Sequence, residues 1–444
     1  MDRLFQFVNR RSFIFFLLPF VVYMGNFREV SNMGDTTPAV FTAVSLVTDG
    51  DVYLDELHDY IPYNKLPYYL SERRGHVVSN YPILPGVLSV PVFLPGVLFN
   101  LISPELGDPS WRFFAKCAGA VFTSLSVLMM FLTLRRLTTI AGASVVALAY
   151  AFGTACWPIS GQGLWQHGPS CFCWTLLLYA LVRGQELSGR SLYRWLALAG
   201  LSAGLAVGCR LVSLAPLLLV PVAVVFRWKV RGLGWYLCAF LSLVILLLAY
   251  NLYFFGTWNG GLSVVLDQRW DLDRVEGGVW ETPVLMGIAG NLVSPSRGLL
   301  IFSPFLVFSF WGMKRVWEEE NSALHFYRWF VWIPLIFLLI FAKYTVWWGG
   351  NAHYGPRYQI EMLPVLLFFL GLGWTRFSTQ RRWVALFVVL LVFAVFVQWI
   401  GAFCYPSDWA SKPVPISEDK SRLWDWSYNQ ILTCLRSGIK PRLY

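Results

Sequence analysis

Side chains able to do acid–base or phosphate chemistry gather in a few short stretches of this chain, separated by long apolar runs. SNMGDTTPAV (31–40) holds a lone acid, Asp35, directly after SFIFFLLPFVVYMGNF. The next carboxylates come in TDGDVYLDELHD, which includes Asp55 and Glu56. GQGLWQHGPS (161–170) carries His167, GLAVGCRLVSLAP carries Arg210, and NLVSPSRGLLIFSPF (291–305) carries Arg297. WWGGNAHYGPRYQIEMLP (347–364) carries His353, Tyr354 and Arg357 in a Gly-rich turn, with Glu361 about one helical turn further on. A carboxylate held beside apolar surface is suited to general-base work. Guanidinium groups bind phosphate bidentately. Asp35 also fits the start of an amphipathic helix (Val40, Phe41, Val44, Leu46, Val47), where it would cap backbone N–H groups. The two roles are compatible, since a helix N-terminus steadies a carboxylate.

The elements that must position these residues are membrane helices. Of 444 residues, 57% are hydrophobic, 17% aromatic and 14% charged, against about 25% charged in soluble chains. Several runs reach the length of about twenty residues needed to cross a hydrocarbon core. The formal net charge of +10 sits in short clusters between those runs, such as Arg135/Arg136, Arg227/Lys229/Arg231 and Arg376/Arg381/Arg382. That is the positive-inside pattern rather than a nucleic-acid-binding face. The N-terminus resembles a signal peptide without a small-residue cleavage site, so a retained first helix is expected. The eight cysteines have no zinc-ligand spacing, and pairing of Cys404 with Cys434 stays open.

Charge counting predicts an all-α polytopic protein with eleven spans: 12–27, 112–134, 139–157, 169–183, 192–209, 211–226, 232–255, 298–313, 325–346, 358–375 and 383–403. The N-terminus is then cytoplasmic, and a long first loop (28–111) and a tail (404–444) lie outside. The stretch 81–102 is excluded from the count. It carries Pro82, Pro85, Pro91 and Pro95, and crossing there would put every later basic cluster on the wrong side. It is expected as a broken helix at the outer interface. On this topology all the candidate site residues face the extracytoplasmic side. The span interiors read as clean of charge, which argues against a transporter or flippase.

The order and spacing of these stretches resemble the GT-C superfamily of membrane glycosyltransferases, in particular the protein O-mannosyltransferase and aminoarabinose (lipid A) transferase branch and its bacterial relatives. The resemblance covers roughly residues 12 to 403. GDTTPAVFTAVSLVTDGDVYLDE follows the family's first loop, with Asp35 at the catalytic acidic position and Thr36 where a second acid is usual. NYPILPGVLSVPVFL looks like the His-Pro-Pro-Leu juxtamembrane segment, and His167 stands where a second Asp is usual. The resemblance implies a catalytic domain over 1–403 with juxtamembrane helices in the first loop, followed by the short tail. It also implies an inner-membrane enzyme that moves a hexosyl or pentosyl group, with inversion, from a polyprenyl-phosphate donor to an extracytoplasmic glycolipid, glycan or protein. Asp35 would be the base. Arg357, Arg297, Arg210 and Tyr354 would hold the donor phosphate, and His167, His353, Asp55 and Glu56 would stand behind them or on the acceptor side. Some relatives bind a divalent ion, for which His167 and His353 are the candidate ligands. The remaining alternatives are a lipid or sugar-lipid flippase and an inactive GT-C-like protein.

Overall fold

A computed structural model describes residues 11–26, 33–60, 66–102, 110–268, 278–319 and 323–439. The chain is a multi-pass membrane protein. Among the described residues, six helical stretches are long and apolar enough to cross a bilayer.

Helix α1 (Ile14–Met24) leads to α2 (Met33–Thr48), the helix that begins at the lone acid. A short antiparallel hairpin follows, β1 (Leu70–Arg73) and β2 (His76–Ser79), with Arg73 opposite His76. Its two turn residues, Arg74 and Gly75, both have positive φ (55° and 81°). That left-handed pair matches the right-handed twist of a hairpin and favours glycine at the second position. The expectation of an all-α chain missed this hairpin.

The proline-rich stretch also departs from expectation. It forms one continuous helix, α3 (Leu84–Leu98), with Pro91 and Pro95 inside it. Pro85 sits in the first turn, where no backbone N–H is needed. Packing supplies what the two inner prolines remove. Phe93 is buried with Val40 and Phe41 of α2 and with Trp111, and Gly86 lies so close to α2 that a Cβ would meet the Ala39 carbonyl at 2.6 Å. Fifteen residues rise about 22 Å, short of a full crossing.

The main bundle comprises α4 (Ser110–Leu134), α5 (Ile140–Phe152), α6 (His167–Gln185), α7 (Gly189–Cys209) and α8 (Leu219–Phe255). Helix α6 packs between α4 and α7, and α7 against α8. The stripe Gly200, Gly204, Gly208 lets α7 and α8 approach closely, as small residues do in membranes. A Cβ on Gly200 would lie 2.0 Å from the Tyr236 carbonyl oxygen. Gly200→Ala must therefore force α7 and α8 apart, and is expected to cost about 1–3 kcal/mol, read as a lower melting temperature in detergent. Within α8 the helix breaks at Lys229 (φ 58°, ψ −169°), inside the basic cluster.

Helices α9 (Leu262–Gln268), α10 (Val284–Val293), α11 (Ser309–Glu318), α12 (Trp332–Lys343), α13 (Leu363–Phe377) and α14 (Arg381–Cys404) complete the membrane part. The tail ends in α15 (Gln430–Ser437), packed on α14. Cys404 and Cys434 are buried in one cluster.

The span interiors are not clean of charge. Lys116 is fully buried inside α4. Its ammonium donates to the side-chain oxygens of Gln162 (2.8 Å) and Asn26, and Asn26 in turn donates to Gln162 and to the Ala402 carbonyl. Those partners come from elements far apart in sequence, so no charge count along the chain can register them.

Candidate active site

Asp35 lies in the first turn of α2, almost fully buried. Its Oδ2 accepts from Arg357 Nη1 at 2.6 Å. Its Oδ1 accepts from the Tyr81 hydroxyl at 2.6 Å and from the Tyr68 hydroxyl at 3.3 Å. Arg357 opens the 3₁₀ turn Arg357–Met362 that leads into α13. Its guanidinium lies over the Trp165 ring (5.2 Å) and the Tyr358 ring (5.3 Å), a stacking that suits arginine and holds its plane fixed.

A second charged group lies beside the first. His167 begins α6, and its Nδ1–H donates to Glu361 Oε1 at 2.7 Å. Arg210, in extended backbone at the end of α7, places Nη1 3.2 Å from the same oxygen. Nη1 also lies close to both ring nitrogens of His167, Nδ1 and, at 3.0 Å, Nε2. Glu361 is fully buried. The arrangement therefore pairs Arg357 with Asp35 and Arg210 with Glu361, with His167 between Glu361 and Arg210.

Asp35, Tyr81, Trp165, His167, Arg210 and Arg357 all line one cavity of about 480 Å³, a size that suits a small-molecule head group. The same cavity is also lined by apolar and aromatic side chains, among them Leu247 and Phe255 of α8, Trp258, and Phe341 of α12. Its lining thus combines ionic groups with apolar surface.

The remaining expected residues lie elsewhere. Arg297 is buried against the tail, where it donates to the Ser296 carbonyl (3.0 Å) and to Gln430 Oε1 and lies over the Trp409 ring. The Tyr354 hydroxyl donates to the Val397 carbonyl at 2.8 Å. Neither lines the cavity; Arg297 is tied to the tail and Tyr354 to α14. His353 is buried beside Gly349, and neither ring nitrogen has a partner among the described residues. Burial pushes its imidazole well below the ordinary range, helped by Arg297 and Arg357, so it is neutral. Asp55 accepts from the Val77 N–H (2.6 Å) and meets His76 Nδ1 at 2.7 Å. Glu56 is pushed up to about 7, chiefly by burial. Asp55 thus supports the hairpin. Asp271, Asp273 and Glu276 lie outside the described residues.

Gln430 clasps the segment that carries Arg357. Its Oε1 accepts from the Gly355 N–H (2.9 Å) as well as from Arg297, and its Nε2 donates to the His353 carbonyl (2.8 Å).

Sequence reasoning named Glu361 without giving it a role and did not single out Tyr81. The signal for Glu361 is a carboxylate four residues after an arginine at the mouth of an apolar helix, a spacing that suits an ion pair. Here it reaches instead across the site to Arg210. Glu361→Ala is expected to destabilise the protein by about 3 kcal/mol by leaving a largely buried guanidinium unpaired, measured by thermal unfolding in detergent.

No family model and no curated protein matches this chain. Solved structures do. An archaeal oligosaccharyltransferase from Archaeoglobus fulgidus, crystallised with Zn and sulfate, aligns over 98% of this chain and 58% of its own, at 14% identity and TM-score 0.53. The same organism's AglB, in complex with an inhibitory peptide and a dolichol-phosphate, aligns over 94% and 60%, at 13% identity and TM-score 0.52. The chain shares its fold with these oligosaccharyltransferase structures. It spans about 60% of their length, and the likeness at this identity is one of fold. A third structure of the oligosaccharyltransferase, tethered to an acceptor peptide, aligns equally well, at TM-score 0.52.

Proposed function

We propose that this GT-C protein is an inverting glycosyltransferase that moves a sugar from a polyprenyl-phosphate donor to an acceptor hydroxyl. The observation that carries the reading is the Asp35–Arg357 pair in a cavity lined by both charged and apolar side chains. A lipid phosphate fits such a cavity, with its head group at the guanidinium groups and its chain along α8. Asp35 serves as the base for the attacking hydroxyl. Arg357 and Arg210 stabilise the charge that grows on the departing phosphate. A single displacement needs one protein base and no second carboxylate nucleophile. The neighbours bind dolichol-phosphate and an acceptor peptide, which supports a lipid-linked donor. On the same reading the chain crosses an inner membrane eleven times, with its N-terminus cytoplasmic and the cavity on the extracytoplasmic side. The basic clusters support this orientation. The O-mannosyltransferase and aminoarabinose transferase branch remains the nearest pattern in motif order.

A divalent ion was present in one neighbour. In this chain the described residues contain no group of three or more His, Cys, Asp or Glu placed to hold a metal. The Asp35 oxygens are engaged by Arg357 and two phenols, and His167 by Glu361. These residues do not fit a metal site, and no step of the reaction is drawn through one.

The test is purified protein in liposomes, supplied with radiolabelled polyprenyl-phosphate hexoses and pentoses, with binding of plain polyprenyl phosphate as a second readout. Saturable binding and release of the sugar to an acceptor fraction are expected. Absence of both across the donor panel overturns the reading.

A further inference from the structure

We propose that Tyr81 is a catalytic residue whose phenol relays the acceptor's proton to Asp35; this rests on the glycosyl-transfer reading above. Asp35 is a base with both oxygens already engaged: Oδ2 faces Arg357 at 2.6 Å, and Oδ1 takes hydrogen bonds from Tyr81 and Tyr68. Of the two phenols, Tyr81 makes the shorter bond and lines the cavity, whereas Tyr68 is not part of the cavity wall. A phenol hydroxyl can accept one hydrogen bond while it donates another. Tyr81 is thus placed to touch both the substrate space and the base.

The hairpin holds it there. The Ser79 hydroxyl accepts from the Tyr81 N–H (3.0 Å) and donates to the Tyr81 carbonyl (2.9 Å). The next residue back, Asn80, is tied to Tyr69 through its N–H and to Tyr68 through its side-chain amide, both at 2.9 Å. Pro82 and then α3 follow directly. Two short strands with little core of their own gain a purpose as the mount for one phenol.

The step balances without a co-reactant. The acceptor oxygen forms its bond to the anomeric carbon as its proton passes to Tyr81 Oη. Tyr81 gives its own proton to Asp35 Oδ1. The bond from the anomeric carbon to the phosphate oxygen breaks, and its electron pair leaves on the lipid phosphate, which gains one negative charge beside Arg357. The proton ends on Asp35, and Tyr81 returns to its starting form.

The experiment uses the full-length protein in liposomes. Tyr81→Phe is expected to lower kcat at saturating donor and acceptor by about 100-fold. Binding of polyprenyl phosphate should stay within about threefold and thermal unfolding nearly unchanged, a split that loss of fold would not produce. Replacing Tyr81 with 3-fluorotyrosine keeps the hydrogen bond but makes the phenol more acidic, and should shift the pH profile of kcat. Tyr81→Phe within about threefold of wild type, with Asp35→Asn inactive, overturns the relay and leaves the transfer reading standing. An unshifted profile in the fluorotyrosine protein likewise overturns it. Full activity in Asp35→Asn overturns the relay together with the transfer reading.

Discussion

Asp35→Asn is expected to lower sugar transfer by about 10²–10⁴-fold, the range that a positioned general base contributes, while membrane insertion is retained. The substitution keeps the shape of the side chain and an oxygen that can accept from Arg357, so the geometry around Oδ2 survives. What it removes is the ability to take up a proton. It also removes one charge of a buried pair, for which the isosteric amide is gentler than alanine. Transfer from a radiolabelled polyprenyl-phosphate sugar, measured beside melting temperature and membrane fraction, separates the two effects. Full activity in the variant would sink the assignment of Asp35 as base.

Arg357→Ala is expected to cost as much by a different route. Arg357 touches Asp35, stacks on Trp165 and lines the cavity, so it is the cation best placed for the leaving phosphate. Loss of one such preorganised donor costs about 10²–10³-fold in kcat. Binding of polyprenyl phosphate should weaken as well, which distinguishes this variant from Asp35→Asn. Arg357→Lys keeps the charge but loses the planar fork and the stacking, and should recover only part of the loss. If Arg357→Ala binds the lipid phosphate as tightly as wild type, the phosphate sits elsewhere.

Helix positions were largely legible in the sequence. The helix expected over 112–134 is Ser110–Leu134, and that over 383–403 is Arg381–Cys404. Flanking charges and run length mark such helices with no knowledge of what they pack against. The interior of 81–102 was misread because the penalty on proline is a local rule, whereas packing on α2 is not. The site was legible in part. Asp35 and Arg357 meet across 322 positions of sequence, and motif order alone suggested that they belong together. Arg297 looked equivalent, since an arginine at the mouth of an apolar span has the same appearance whether it faces a phosphate or a protein amide. Its partner Gln430 lies 133 positions away in an unremarked tail. Glu361 was noted but given no role, and Tyr81 was not singled out, for a similar reason: their partners Arg210 and Asp35 are brought to them only by the fold.

The Gln430 clasp has a consequence for the order of events during biosynthesis. Every charged residue that lines the cavity leaves the ribosome before Gln430 does, and chains fold as they emerge. Arg357 can be synthesised, inserted and near Asp35 while the segment just before it still lacks its hold at His353 and Gly355. The hydrogen bonds that Gln430 makes to His353 and Gly355 can therefore form only after the residues of the site have been made and the segment carrying Gln430 has packed on α14.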